Sequence, residues 1–141
     1  MNSVLYPVLD VIKRNLLRLG TSDPIDLPVC LERWLEALGM EPAQHVPLLG
    51  QLLSTDASSR YRLLNLPGVE YRRRTFEVLA GVVLALGAQR PVLLVAEDLH
   101  WLDPTTLEFL DQVVTLARSE RIFMLATSRP EFMVPWRGEP Y

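Results

Sequence analysis

Residues 91–104 read PVLLVAEDLHWLDP, and the fold is decided there. Five apolar residues, Val92 to Ala96, run directly into two adjacent acids, Glu97 and Asp98. A capped helix start, Asp103-Pro104, follows at once. A short apolar run bounded in this way predicts a strand buried on both faces. Its acidic carboxyl end matters because ligands of open α/β sheets bind outside the carboxyl ends of the strands.

Toward the C-terminus, Asp103 suits the N-cap, Pro104 suits the first helical position, and Leu102 can staple to Leu107. The pattern predicts a helix to about Ala117, with Leu107, Leu110, Val114 and Ala117 inward. A second buried strand is expected over Ile122 to Ala126, ending in Thr127-Ser128-Arg129-Pro130. The proline-bearing tail, Glu131 to Tyr141, reads as irregular. A strand, a crossover helix and a second strand of these lengths imply a right-handed parallel unit. Both strands then end on one edge. One end offers the carboxylates of Glu97 and Asp98, and the other offers the hydroxyls of Thr127 and Ser128 and the guanidinium of Arg129. That pairing suits an anionic ligand held with a divalent metal. A solvated strand end is the plainer alternative for the acids taken alone.

Toward the N-terminus, Gly87 to Arg90 is expected to connect the strand to a long helix from about Val69 to Leu86. The apolar face of that helix holds Phe76, Leu79, Ala80, Val83 and Leu84. Its first turns carry Arg72, Arg73 and Arg74, which either reach an acidic partner or form a solvated basic face. Leu66-Pro67-Gly68 reads as a turn. Three earlier helices are predicted: Ser3 to Leu19, capped by Ser3 and ended by Gly20; Asp23 to Leu38, with a late start at Pro24 and Pro28 and a stop at Gly39; and Pro42 to Leu53, with Pro47 inside. Lys13, Arg14 and Arg18 fall mostly on a polar face. His45 reads as a surface or packing histidine.

Composition narrows the classes of function. The chain has 141 residues, 49% of them hydrophobic, enough for one domain with a core. A net charge of −3 makes no case for nucleic acid. The single Cys30 excludes an internal disulfide framework. The longest apolar run, Val78 to Ala88, is far short of the roughly 20 residues of a membrane span. With no signal-peptide pattern at the N-terminus, a cytoplasmic location is expected. A small metalloenzyme using His45, His100 and the acids lacks ligand spacing.

The run VLLVAEDLHWLDPTTLEFL resembles the Walker B strand and following helix of STAND-type, AAA-like P-loop ATPase modules. IFMLATSRPEFMVPW resembles the next strand of that module, with its sensor segment. LYPVLDVIKR and RRRTFEVLA match, more loosely, the segments between P-loop and Walker B. The resemblance implies an α/β fold, a partial P-loop NTPase with a parallel sheet, flanking helices and a helix-rich N-terminal half. Residues 1–66 would be the helical segment after the P-loop. Residues 67–141 would hold a helix, the Walker B strand, a helix and the sensor strand. It further implies that Glu97 and Asp98 contact Mg²⁺ and orient the attacking water. The order Glu-Asp departs from the commoner pairs and leaves open which acid has which role. Arg129, with Thr127 and Ser128, falls where the family senses the γ-phosphate. His100 and Trp101 belong to the signature, with packing and orienting roles as natural as direct catalysis. ATP and Mg²⁺ are the implied cofactors. The implied partners are effector domains of the same parent chain: cyclase, kinase or helical repeats.

One part of such a module has no counterpart. A P-loop needs G-x-x-x-x-G-K-[ST], whose backbone N–H groups and lysine hold the phosphates. Of seven glycines none precedes a lysine, and the one lysine, Lys13, follows Ile12. The expectation is a fragment of a longer protein, or a degenerate relative, that neither binds ATP tightly nor hydrolyses it alone. The other expectation is a non-enzymatic interaction domain derived from such an ATPase.

Overall fold

A computed structural model of the chain describes residues 5–19, 26–55, 60–62 and 64–136. The elements in order are α1 (Tyr6–Leu19), α2 (Leu27–Ala37), α3 (Pro42–Leu52), α4 (Gly68–Gln89), β1 (Val92–Ala96), α5 (Pro104–Leu116) and β2 (Ile122–Ala126). Short 3-10 turns lie at Leu99–Trp101 and Ala117–Ser119. The protein is therefore mixed α/β and helix-rich, with a small parallel sheet. No helix among the described residues is long and apolar enough to cross a membrane. Two compact units divide the chain: Pro7–Leu79, and Ala80–Tyr141 together with Met1–Tyr6.

In the first unit the apolar stripes of three helices supply the core. Leu9, Ile12 and Leu16 of α1, Leu31, Trp34 and Leu35 of α2, and Val46, Leu48 and Leu49 of α3 are all buried. The expected cap Ser3 and the stop Gly20 lie outside the described residues. The late start of α2 is real: Asp26 is its N-cap, its carboxylate accepting from the Val29 N–H, and Pro28 sits in the first turn. Its end is a Schellman motif. The Met40 N–H donates to the Leu35 carbonyl at 2.9 Å and the Gly39 N–H to the Glu36 carbonyl at 2.9 Å. That turn needs the left-handed φ of 73° which Gly39 adopts without strain. Pro47 is buried inside α3 and leaves the Ala43 carbonyl without its usual helical donor.

Two of the three arginines of α4, Arg73 and Arg74, resolve as a local charge lattice. Glu70 takes Arg73 at 2.6 Å and Arg74 at 3.0 Å, and Arg73 also meets Glu77. Arg72 lies 5.6 Å from the centre of the Phe76 ring. Hydrogen bonds from Arg73 and then Arg74 hold the Glu70 carboxyl down at about 2. These are helix-spaced pairs on a solvated face.

α4 runs through Gln89, so the connector expected over Gly87 to Arg90 is mostly helix. Gly87 within it has a packing role. A Cβ there would stand 2.8 Å from Ile122 Cγ1, so glycine serves the close approach of α4 to β2. The buried face of α4 also takes in Val78 and Val82, while Val83 and Leu84 are half-buried.

In the second unit β1 and β2 are parallel, with Val92 opposite Ile122 and Ala96 opposite Ala126. The two strands therefore end level. The expected burial on both faces fails. Val92, Leu94, Ile122 and Met124 are half-buried, but Leu93, Val95, Phe123 and Leu125 are 60%, 55%, 67% and 48% exposed. A continuous apolar run signals that both faces suit burial, and among the described residues only one face is covered. In α5 the buried residues are Thr106, Phe109, Leu110 and Val113. Leu107, Val114 and Ala117 are only half-buried, so the inward stripe is displaced from the expected one.

Candidate functional site at the ends of the parallel strands

The chain leaves β1 by a sharp left-handed step. Asp98 has φ 54° and ψ 50°, a conformation that Asp tolerates better than most residues. The step launches the 3-10 turn Leu99–Trp101, in which the Trp101 N–H donates to the Asp98 carbonyl at 2.8 Å. The sequence pattern gave no sign of this turn, because three residues are too few for a periodicity.

The end of β2 holds the acidic turn in place. The Thr127 N–H donates to the Ala96 carbonyl at 3.0 Å, extending the ladder by one bond. The Asp98 N–H then donates to the Thr127 hydroxyl at 3.0 Å, and the Leu99 N–H to the Thr127 carbonyl at 2.9 Å. Thr127 thus stitches the acidic end of one strand to the hydroxyl end of the other. Leu99 is buried beneath this stitch, and Glu97 and Asp98 are exposed.

Asp103 has a different task. Its Oδ1 accepts from the N–H groups of Thr105 and Thr106, each at 3.0 Å, and the Thr106 hydroxyl donates to Oδ2. Burial pushes its carboxyl up. The hydrogen bonds from Thr106, the Leu5 N–H and the Thr105 N–H outweigh that and keep it below the usual Asp value. Asp103 is a helix cap, with its lone pairs already committed.

Ser128 and Arg129 turn to a neighbouring space. They help to line a cleft of about 610 Å³ beside β2, whose other walls include Leu99, Met124, Phe132 and Trp136. The Arg129 guanidinium lies 5.4 Å from the centre of the Trp101 ring. The His100 ring stands 5.2 Å from that of Trp101 and 6.4 Å from that of Phe132. His100 Nδ1 is buried without a hydrogen-bond partner among the described residues. His45 Nδ1 is too, and burial lowers that imidazole below its usual range against the opposing pull of Glu41.

The strand ends thus bring Thr127 against the turn of Glu97 and Asp98, with Ser128 and Arg129 on the adjoining cleft. Two exposed neighbouring carboxylates fit a hard cation that keeps much of its water, as Mg²⁺ does. Among the described residues no group of three or more His, Cys, Asp and Glu side chains could hold a metal ion by protein ligands alone. For phosphate the strand ends offer one guanidinium and two hydroxyls, with no glycine-lysine loop beside them.

No family model matches the chain, and no solved structure matches it. A 65-residue stretch, 46% of the chain, is 26% identical to an uncharacterized protein of Rhizobium meliloti (strain 1021). That stretch covers 6% of the relative, which is therefore roughly a thousand residues long.

Proposed function

We propose that this chain is the Walker B and sensor portion of a STAND/AAA-like P-loop ATPase module, a regulatory switch of a bacterial signalling protein. In this reading Glu97 and Asp98 hold Mg²⁺ and orient water, and Arg129 meets the γ-phosphate with Thr127 and Ser128 beside it. The observation that carries it is the level ending of the parallel pair β1 and β2, with the acids on one strand joined to the hydroxyl end of the other through Thr127 and Asp98. The reading requires a glycine-lysine phosphate loop from further sequence, since none is encoded in these residues. A match within a relative of about a thousand residues is in keeping with a module carried by larger chains, next to cyclase, kinase or helical-repeat effector domains. ATP and Mg²⁺ are its cofactors, and the cytoplasm its compartment.

The test is ATP turnover by a parent protein that carries the phosphate loop. The double substitution Glu97→Ala and Asp98→Ala abolishes turnover there, and undiminished turnover removes the assignment. The lack of any Gly-Lys pair favours a second reading, an interaction domain that keeps the fold without the chemistry. A gene with no in-frame phosphate loop upstream supports that one.

A further inference from the structure

Arg129 and the two acids sit at neighbouring strand ends and carry opposite charge. Neighbouring strands lie about 4.8 Å apart, a gap that an arginine side chain spans. Yet among the described residues Arg129 forms no ion pair with Glu97 or Asp98. Its guanidinium rests on the face of Trp101 instead, 5.4 Å from the ring centre. Trp101 remains 73% exposed, so burial does not explain its place. A stack of this kind and a solvated ion pair are comparable in strength, so an indole face at that position competes with the carboxylates for the guanidinium.

Trp101 is not free to drift. Its N–H donates to the Asp98 carbonyl, and the Asp98 N–H is held by the Thr127 hydroxyl, two residues before Arg129. On the far side the Phe132 N–H donates to the Arg129 carbonyl at 3.0 Å, and the Phe132 ring lies 6.4 Å from that of His100, tilted by 59°. A closed circuit of contacts therefore runs from the acidic turn through Trp101 and Arg129 and back through Thr127.

We propose that Trp101 is a positioning residue for Arg129. Its exposed indole face keeps the guanidinium off the Glu97 and Asp98 carboxylates and presents it at the cleft mouth for a phosphate-bearing anion. The proposal rests on the nucleotide-site reading for the identity of that anion. It adds a role for the tryptophan of the HW pair. With the cation parked on the ring, the carboxylates stay open to a metal and the guanidinium stays open to phosphate.

The experiment uses the 141-residue chain, isotope-labelled for NMR, with inorganic pyrophosphate as the probe. In the parent the Arg129 side-chain resonances are displaced upfield by the indole ring current. Trp101→Leu abolishes the displacement, and Trp101→Tyr keeps much of it, because only the aromatic face matters. Pyrophosphate moves the Arg129 Nε–H resonance, and its apparent affinity falls about 2–5-fold in Trp101→Leu but stays near the parent in Trp101→Tyr. Arg129 resonances that are alike in parent and Trp101→Leu overturn the stack. A lost ring current with unchanged pyrophosphate affinity overturns the positioning role. A ring current that behaves as expected, with no pyrophosphate effect on Arg129 in any variant, overturns Arg129 as an anion contact, while the nucleotide-site reading stands or falls by turnover in a parent protein that carries the phosphate loop. Because Trp101 is largely exposed, backbone resonances elsewhere report an intact fold in both variants.

Discussion

The Thr127 hydroxyl accepts a hydrogen bond of 3.0 Å from the backbone N–H of Asp98, across 29 residues of sequence. The bond holds a residue in the left-handed region at the end of a strand, where the chain must turn at once into a 3-10 helix. Without it, among the described residues, the acidic turn would be tied to the end of β2 by two backbone bonds, from the Thr127 N–H to the Ala96 carbonyl and from the Leu99 N–H to the Thr127 carbonyl.

Thr127→Val keeps the shape and removes the acceptor. The expected loss of stability is about 0.5–1.5 kcal/mol, since the freed N–H can turn to water. Hydrogen exchange at the Asp98 amide should accelerate, while the Leu99 amide, which bonds the Thr127 backbone, changes less. Equal protection of Asp98 in both proteins would show that the hydroxyl does not hold the turn.

Asp103 should stabilise the chain through its cap, and the pH dependence has a definite sign. Its folded carboxyl lies below the usual Asp value. The stabilisation is therefore fully present above the unfolded value of about 3.9 and is lost as pH falls through the folded value. Asp103→Ala should cost about 0.5–2 kcal/mol near pH 7. The gap between parent and variant in urea unfolding should be flat from about pH 5 to 8 and close below about pH 4. A gap that widens on acidification contradicts the carboxylate cap.

Gly87→Ala sets two effects against each other. Alanine gains about 1 kcal/mol of helix preference over glycine. The new Cβ would meet Ile122 Cγ1 at 2.8 Å, and that atom lies at the root of the side chain, where it yields poorly. Overpacking of this kind costs about 1–3 kcal/mol, so a net loss is expected in denaturant unfolding. A more stable variant would mean that α4 does not press on β2 at this point.

Calorimetry of the chain with ATP and Mg²⁺ should show no micromolar binding. One guanidinium and two hydroxyls do not replace a loop of backbone N–H groups and a lysine. Micromolar affinity would require a stronger phosphate site than Arg129 and its neighbouring hydroxyls provide.

The parts legible in the sequence were those with strong local chemistry. Asp103-Pro104 marks the start of α5 because a cap and a fixed φ act within one turn. Ile122 to Ala126 is a strand over the very residues expected, because arginine and threonine bound its apolar run. Gly39 ends α2 because its left-handed φ is a local need. The inward stripe of α5 was misplaced for the opposite reason. Leu107 and Val114 are as apolar as Phe109 and Val113, and only the neighbours decide which pair is covered.

The same division runs through the candidate site. By itself the sequence determined that acids end one apolar strand, that hydroxyls and an arginine end another, and that no glycine-lysine loop accompanies them. Those are properties of bonded neighbours and of composition. Only the tertiary structure decided that Thr127 grips Asp98, that Arg129 lies on Trp101 rather than on the acids, that Gly87 is a contact rather than a linker, and that among the described residues one face of the sheet stands open. Each depends on atoms distant along the chain meeting in space, and no local pattern of residue types encodes that meeting.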